Sequence, residues 1–284
     1  NRLGWRFSSR DEQNLRHAAG EVLDRARLIR VSPTKAAHAS IRAALVKDAK
    51  RDKVHPLETL DDLVEKRLGE ETDSKQTYAL VIDLPFQKPV VLAAIYTHWS
   101  VQGHDLHQDK VDVSKLPGDA GEILAEASTP LESEPDTVIF YSISSFYPQA
   151  GKRLIADLRR ALGGEDTDGH APVMSTLSPL RSFAAWLEEQ VGQAEPDDAN
   201  LRTAFLKEAA VDFLKSGQDP VEKFHLGNGA VVGKINTGSN LEGSEDDIKG
   251  RGVMVNYLYP RGPEIAENHK AFRRGQIRFA ANFR

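Results

Sequence analysis

Apolar positions follow two different periods along this chain, and the change of period divides it. Between residues 11 and 30, Leu15, Ala18, Ala19, Val22, Leu23 and Ala26 recur every three or four residues, the spacing that lines one face of a helix. Ser9 and Asp11 are suited to cap it. Val31-Ser32-Pro33 breaks the pattern, a second helix is predicted over 34–50, and Thr59 with Asp62 three residues later marks the start of a third. Past residue 75 the runs become short and β-branched. Stretches 77–84 and 89–97 read as strands, and Pro85-Phe86-Gln87-Lys88 between them reads as a hairpin turn.

Residues 101–136 are polar, with scattered Gly, Pro, Asp and Glu, and are predicted to be a surface insertion with one short helix near 120–127. The stretch 137–144 is the strongest strand signal in the chain. A turn and a helix reaching about residue 162 follow it. A short strand is expected over 171–177, after which Ser178-Pro179 opens a helix over 180–191. Another helix runs to about residue 214, ending at Ser216-Gly217-Gln218-Asp219-Pro220. Phe224-His225-Leu226-Gly227-Asn228-Gly229-Ala230 reads as a strand end or tight turn, because Gly and Asn disfavour a helix interior and admit positive φ. Strands at 231–235 and 252–259 flank a Gly/Ser/Asp-rich loop that is expected to be mobile. Periodicity alone gives a mixed α+β or α/β protein.

Composition narrows the function. The 284 residues are 40% apolar, ample for a core. A net charge of −5, without a dense Lys/Arg block, argues against nucleic acid or an anionic membrane as partner. With no cysteine, thiol nucleophiles, disulfides and Cys-ligated metals are excluded. No apolar run approaches the ~20 residues of a membrane span, and a cytoplasmic location is expected. His98, His104 and His107 cluster near the polar insertion, but they lack an acidic partner at fixed spacing, so no metal site is assigned.

Chemistry gathers in three blocks. Met174-Ser175-Thr176-Leu177-Ser178-Pro179-Leu180 leads to Trp186, Phe224 to Ala230 follows, and Gly252-Val253-Met254-Val255-Asn256-Tyr257-Leu258-Tyr259 leads to Asn268-His269-Lys270-Ala271-Phe272. In this order they resemble the malonyl-CoA decarboxylase family, with its segments (S/T)LSPIPGF…W, RFHLGNGA and GLMVNYLY…NHEAF. The resemblance spans about residues 30–280. It implies a shortened N-terminal helical segment with its linker, residues 1–70. An acyl-CoA-binding catalytic domain, residues 71–284, would follow, with the Gcn5-related N-acetyltransferase-type mixed sheet flanked by helices. It also implies a catalytic pair, Ser178 and His225, with acyl-CoA held where two strands splay.

Under that resemblance His225 protonates an enolate and Ser178 orients the carboxylate or relays the proton. Asn228, Asn256 and Tyr257 are expected to support the pocket. Gln149, Gly151, Lys152 and Arg153 stand where the family's glycine-rich pyrophosphate segment lies. That segment is cut here to a single glycine, the family's INW tryptophan is Thr237, and Arg251 replaces a small residue. The substrate implied is malonyl-CoA or a related acyl thioester, in fatty acid metabolism, with no cofactor because the thioester is its own electron sink. Homo-oligomerisation stays open because the helical segment is short. An acyltransferase moving an acyl group from CoA or a carrier protein to an amine or hydroxyl is the alternative, and a non-catalytic acyl-CoA-binding protein the third reading.

Overall fold

The computed structural model describes residues 20–49, 59–64, 74–85, 88–104, 111–119, 134–145, 148–163, 171–191, 196–238 and 251–283, with 68 and 123 as isolated positions. Among the described residues, eight strands form one mixed, mostly antiparallel sheet: β1 (Arg27–Arg30), β2 (Lys75–Ile82), β3 (Val90–Ser100), β4 (Thr137–Ser145), β5 (Val173–Thr176), β6 (Ser178–Pro179), β7 (Val231–Asn236) and β8 (Met254–Tyr259). The order is β1-β2-β3-β4-β5-β8-β6, with β7 on the other edge of β8. The helices are α1 (Ala39–Ala49), α2 (Leu60–Leu63), α3 (Pro148–Ala161), α4 (Phe183–Val191), α5 (Ala199–Ser216), α6 (Pro220–Leu226) and α7 (Glu264–Arg273).

The near-continuous apolar runs of β2 and β3 have a simple cause: both faces of this part of the sheet are covered. Successive side chains alternate faces. Ala79 and Val81 pack with Ile41 and Leu45 of α1, while Leu80 and Ile82 pack in the main core with Leu154, Ile155 and Leu158 of α3. Trimming such a buried leucine to alanine costs about 2–5 kcal/mol.

The helix expected over 11–30 is described only from residue 20, and its helical part ends at residue 24. Arg27–Arg30 instead pairs antiparallel with β2. Its helix-like spacing is overridden by an open strand edge that periodicity cannot see. The expected insertion also needs correction at 111–119. There, Val113 and Leu116 are buried beside Val173, Leu177 and Met254, and Lys234 Nζ donates to the Leu116 carbonyl at 2.8 Å. His107, most of the 120–127 helix and the loop 239–250 lie outside the described residues.

Two features position the site. First, β4 and β5 run parallel, joined through α3, but pair only from Thr137↔Val173 to Phe140↔Thr176. Past that point β4 stays on β3 as far as Ser145, so the parallel pair opens. Second, β5 and β6 form one line along β8. Met174↔Tyr259 and Ser175↔Leu258 precede the gap, and Ser178↔Val255 and Pro179↔Met254 follow it in the same register. Pro179 thus belongs to this strand, and α4 begins only at Phe183.

Candidate active site

The gap in the β5–β6 line is filled by side chains. Asn256 Nδ2 donates to the Thr176 carbonyl at 2.8 Å and to the Pro117 carbonyl at 3.0 Å, while its Oδ1 accepts from Asn236 at 2.7 Å. The Tyr257 N–H, which would have bonded a strand carbonyl, goes to Thr176 Oγ1 at 3.1 Å. The Asn256 amide and the Tyr257 N–H beside the gap therefore keep partners. Ser178, just beyond, donates from Oγ to the same Thr176 Oγ1 at 3.1 Å.

Helix α6 brings the histidine. Asp219 caps it, its Oδ1 accepting from the Val221 and Glu222 N–H groups at 2.7 and 3.0 Å, and Pro220 occupies the first turn. The expected turn is therefore shorter than the sequence suggests: Phe224, His225 and Leu226 are helical, and only 227–229 turn. Gly227 keeps an ordinary helical φ of −64°, whereas Gly229 takes +86°.

His225 is 4% exposed. Its Nε2 lies 3.4 Å from Ser178 Oγ and its Nδ1 2.8 Å from the Tyr259 hydroxyl. The Tyr257 ring stacks on the imidazole with centroids 4.9 Å apart, and Phe224 meets it edge-on. Burial without a charged partner pushes the imidazole down to about 3 and the Tyr259 phenol up. Both are therefore neutral. A buried phenol that only accepted would leave its O–H unmade, so Tyr259 donates to Nδ1. That fixes the tautomer: the proton sits on Nε2 and points at Ser178.

The remaining expected residues divide. Asn256 and Tyr257 surround the pair, but the Asn256 amide is fully engaged with Thr176, Pro117 and Asn236. The Asn228 Nδ2 is buried with no partner among the described residues. On α3, Gly151 is buried where a Cβ would lie 3.2 Å from the Phe224 ring and 3.3 Å from Ser145 Oγ. It lets α3 and α6 close beside the histidine. Arg153 bonds Asp157 at 2.7 Å and reaches the Leu23 carbonyl at 3.3 Å, while Gln149 and Lys152 are exposed. No group of three His, Asp or Glu able to hold a metal gathers among the described residues.

Tyr259, Thr176 and Glu222 escaped the sequence reading. Tyr259 stands two positions from Tyr257 on one strand, hence on the same face, a signal that was available. Glu222 is fully buried with both carboxyl oxygens unpartnered among the described residues. Desolvation first, then the Asp219 carboxyl, pushes it up to about 8. Because the folded chain holds this proton more tightly than the unfolded one, its contribution to stability is full at low pH and is lost as pH rises through about 8.

Comparison with known proteins agrees with the resemblance drawn above. Residues 198–284 match the family model of the malonyl-CoA decarboxylase C-terminal domain. Three crystal structures of malonyl-CoA decarboxylase share the fold. The enzyme from Cupriavidus metallidurans is 21% identical, with a TM-score of 0.63 over 95% of this chain and 70% of its own. The enzyme from Rhodopseudomonas palustris is 25% identical, with a TM-score of 0.59 over 95% and 65%. The enzyme from Agrobacterium vitis is 21% identical, with a TM-score of 0.59 over 96% and 71%. This chain thus spans roughly two thirds of the length of each. A search of curated protein sequences gives no match.

Proposed function

We propose that this chain, whose residues 198–284 match the malonyl-CoA decarboxylase C-terminal domain, is a carboxy-lyase that converts malonyl-CoA or a close malonyl thioester to acetyl-CoA and CO2. The observation that carries the reading is the Ser178–His225–Tyr259 line, 3.4 and 2.8 Å long, set beside the opening between β4 and β5.

The chemistry asks for two things. Breaking the bond to the carboxylate sends its electron pair into the thioester carbonyl, so CO2 leaves and an enolate remains, whose oxygen needs a donor. The enolate carbon then takes a proton from a group within hydrogen-bond reach. The Nε2–H of His225, shared with the Ser178 hydroxyl, supplies a donor on that side. Burial holds the imidazole neutral, but a malonyl carboxylate and then an enolate beside it favour the charged imidazolium. Tyr259 need only rotate its hydroxyl to accept from Nδ1–H. The proton given to carbon is restored from solvent, so the overall reaction consumes one proton and uses no cofactor.

Mass spectrometry tests this directly. Malonyl-CoA incubated with the protein in deuterated water should become acetyl-CoA carrying one deuterium. Unchanged malonyl-CoA under those conditions would refute the reading. Tyr259→Phe removes the donor to Nδ1 and frees the tautomer. Turnover should fall by about 10–100-fold with KM little changed. An unaltered kcat would show that the tyrosine does not position the histidine.

A further inference from the structure

Glu222 breaks a local rule. Asp219-Pro220-Val221-Glu222 has the spacing of a capping box, in which the fourth residue reaches back to the cap's own N–H. Here the cap half is made, but Glu222 turns away: both its oxygens are buried without a partner among the described residues. It lies one turn before His225 on α6, hence on the same side of the helix.

The groups around it are known. On its own element these are Asp219, Lys223 and His225. From β8 come Tyr257, whose hydroxyl is buried, without a partner among the described residues and sensitive to both the Asp219 and Glu222 carboxyls, and Tyr259, which feels Arg159 of α3. From the turn before α4, the N–H groups of Arg181 and Ser182 face Asp219. Those N–H groups and the helix cap favour a charge on Asp219, but desolvation outweighs them and raises its proton affinity, and its Oδ2 has no partner among the described residues. Among the described residues no N–H group or cap faces Glu222, and only the nearby Lys223 charge favours its ionised form. As an anion it would sit dry behind Tyr257, the ring that stacks on His225.

We infer that Glu222 is a positioning residue that must be a neutral acid for an anionic acyl group to enter the Ser178–His225 site, and that its ionisation sets the alkaline limit of substrate binding. The inference rests on the decarboxylase reading for its substrate. The linkage is reciprocal: an acyl carboxylate arriving near Glu222 raises its proton affinity, so binding above neutrality takes up a proton. Glu222 touches no reacting atom. It acts through the field at Tyr257 and His225.

The test compares the full chain with Glu222→Gln, which keeps the shape and cannot ionise. KM for malonyl-CoA is followed from about pH 6 to about pH 9.5. Wild-type KM should rise about tenfold per pH unit once Glu222 ionises, with kcat changing less, while the Gln variant stays flat. If Gln impairs folding, Glu222→Ala should give the same flat profile. Parallel rises in wild type and variant would overturn the inference.

An infrared difference spectrum of wild type against Glu222→Gln reads the group without substrate. It should show a carboxylic-acid carbonyl band at about pH 7 that is lost by about pH 9. Turnover without that band also overturns the inference. A titrating band without turnover in either protein is a different failure: it removes the decarboxylase reading, and with it the gating of this substrate.

Discussion

Replacing His225 by alanine is expected to lower malonyl-CoA turnover by about 10²–10⁴-fold, the range associated with loss of a general acid. The size follows from how the ring is held. Its Nε2 faces Ser178 at 3.4 Å, its Nδ1 faces Tyr259 at 2.8 Å, and the Tyr257 ring covers one side at 4.9 Å. Alanine removes the only imidazole in this line and leaves the Ser178 and Tyr259 hydroxyls facing a hole. Because the ring is fully within the protein, the substitution also costs packing. The measurement therefore pairs single-turnover kinetics with equilibrium binding of acetyl-CoA. Binding within a few-fold of wild type alongside the lost turnover places the defect in the chemical step. Near-normal turnover would remove His225 from the mechanism. His225→Gln, which fills more of the space, should bind better than alanine and turn over no faster.

The second large effect is expected at Gly229. A Cβ there would lie 2.5 Å from the Ile265 carbonyl oxygen and 2.8 Å from the Ile265 side chain, at a φ of +86°. Helix α7 cannot yield cheaply, because Asn268 Nδ2 donates to the Gly229 carbonyl at 3.1 Å and His269 Nδ1 donates to the Gly227 carbonyl at 2.6 Å. Gly229→Ala should thus destabilise the protein by about 3 kcal/mol or more in urea unfolding, the scale of overpacking added to backbone strain. Gly217→Ala separates the two causes. Its φ is +61°, but nothing lies within 4 Å of the added Cβ, so only the left-handed penalty of about 1–2 kcal/mol applies. Equal losses at the two positions would show that the contact with α7 does not matter. The turn is also tied to the site, since the Asn228 and Ala230 N–H groups both bond the His225 carbonyl, at 3.0 and 3.2 Å. Surviving Gly229→Ala protein should therefore also turn over slowly.

The sequence by itself determined what depends on neighbours along the chain. The runs of β2, β3 and β4, the helix α3 that follows β4 and the end of α5 at Gly217 were all legible, because period and punctuation are local. Ser178 and His225, which the fold brings to 3.4 Å, were singled out through motif resemblance, not through spacing. The local reading failed where an element's state is set by something distant. Arg27–Arg30 became a strand because β2 offered an edge. Phe224–Leu226 stayed helical because the Asp219 cap and helix α7 hold both ends of a sequence whose glycines suggested otherwise.

Tertiary structure alone decided the chemistry around the pair. The proton on His225 is placed by Tyr259, thirty-four positions away in sequence. Ser178 is aimed by Thr176, which is itself held by Asn256 across the strand gap. Glu222 looks locally solved as half of a capping box and proves to be a buried acid without a partner among the described residues. Charge state and hydrogen-bond direction depend on desolvation and on which groups converge in space, and a one-dimensional pattern carries neither.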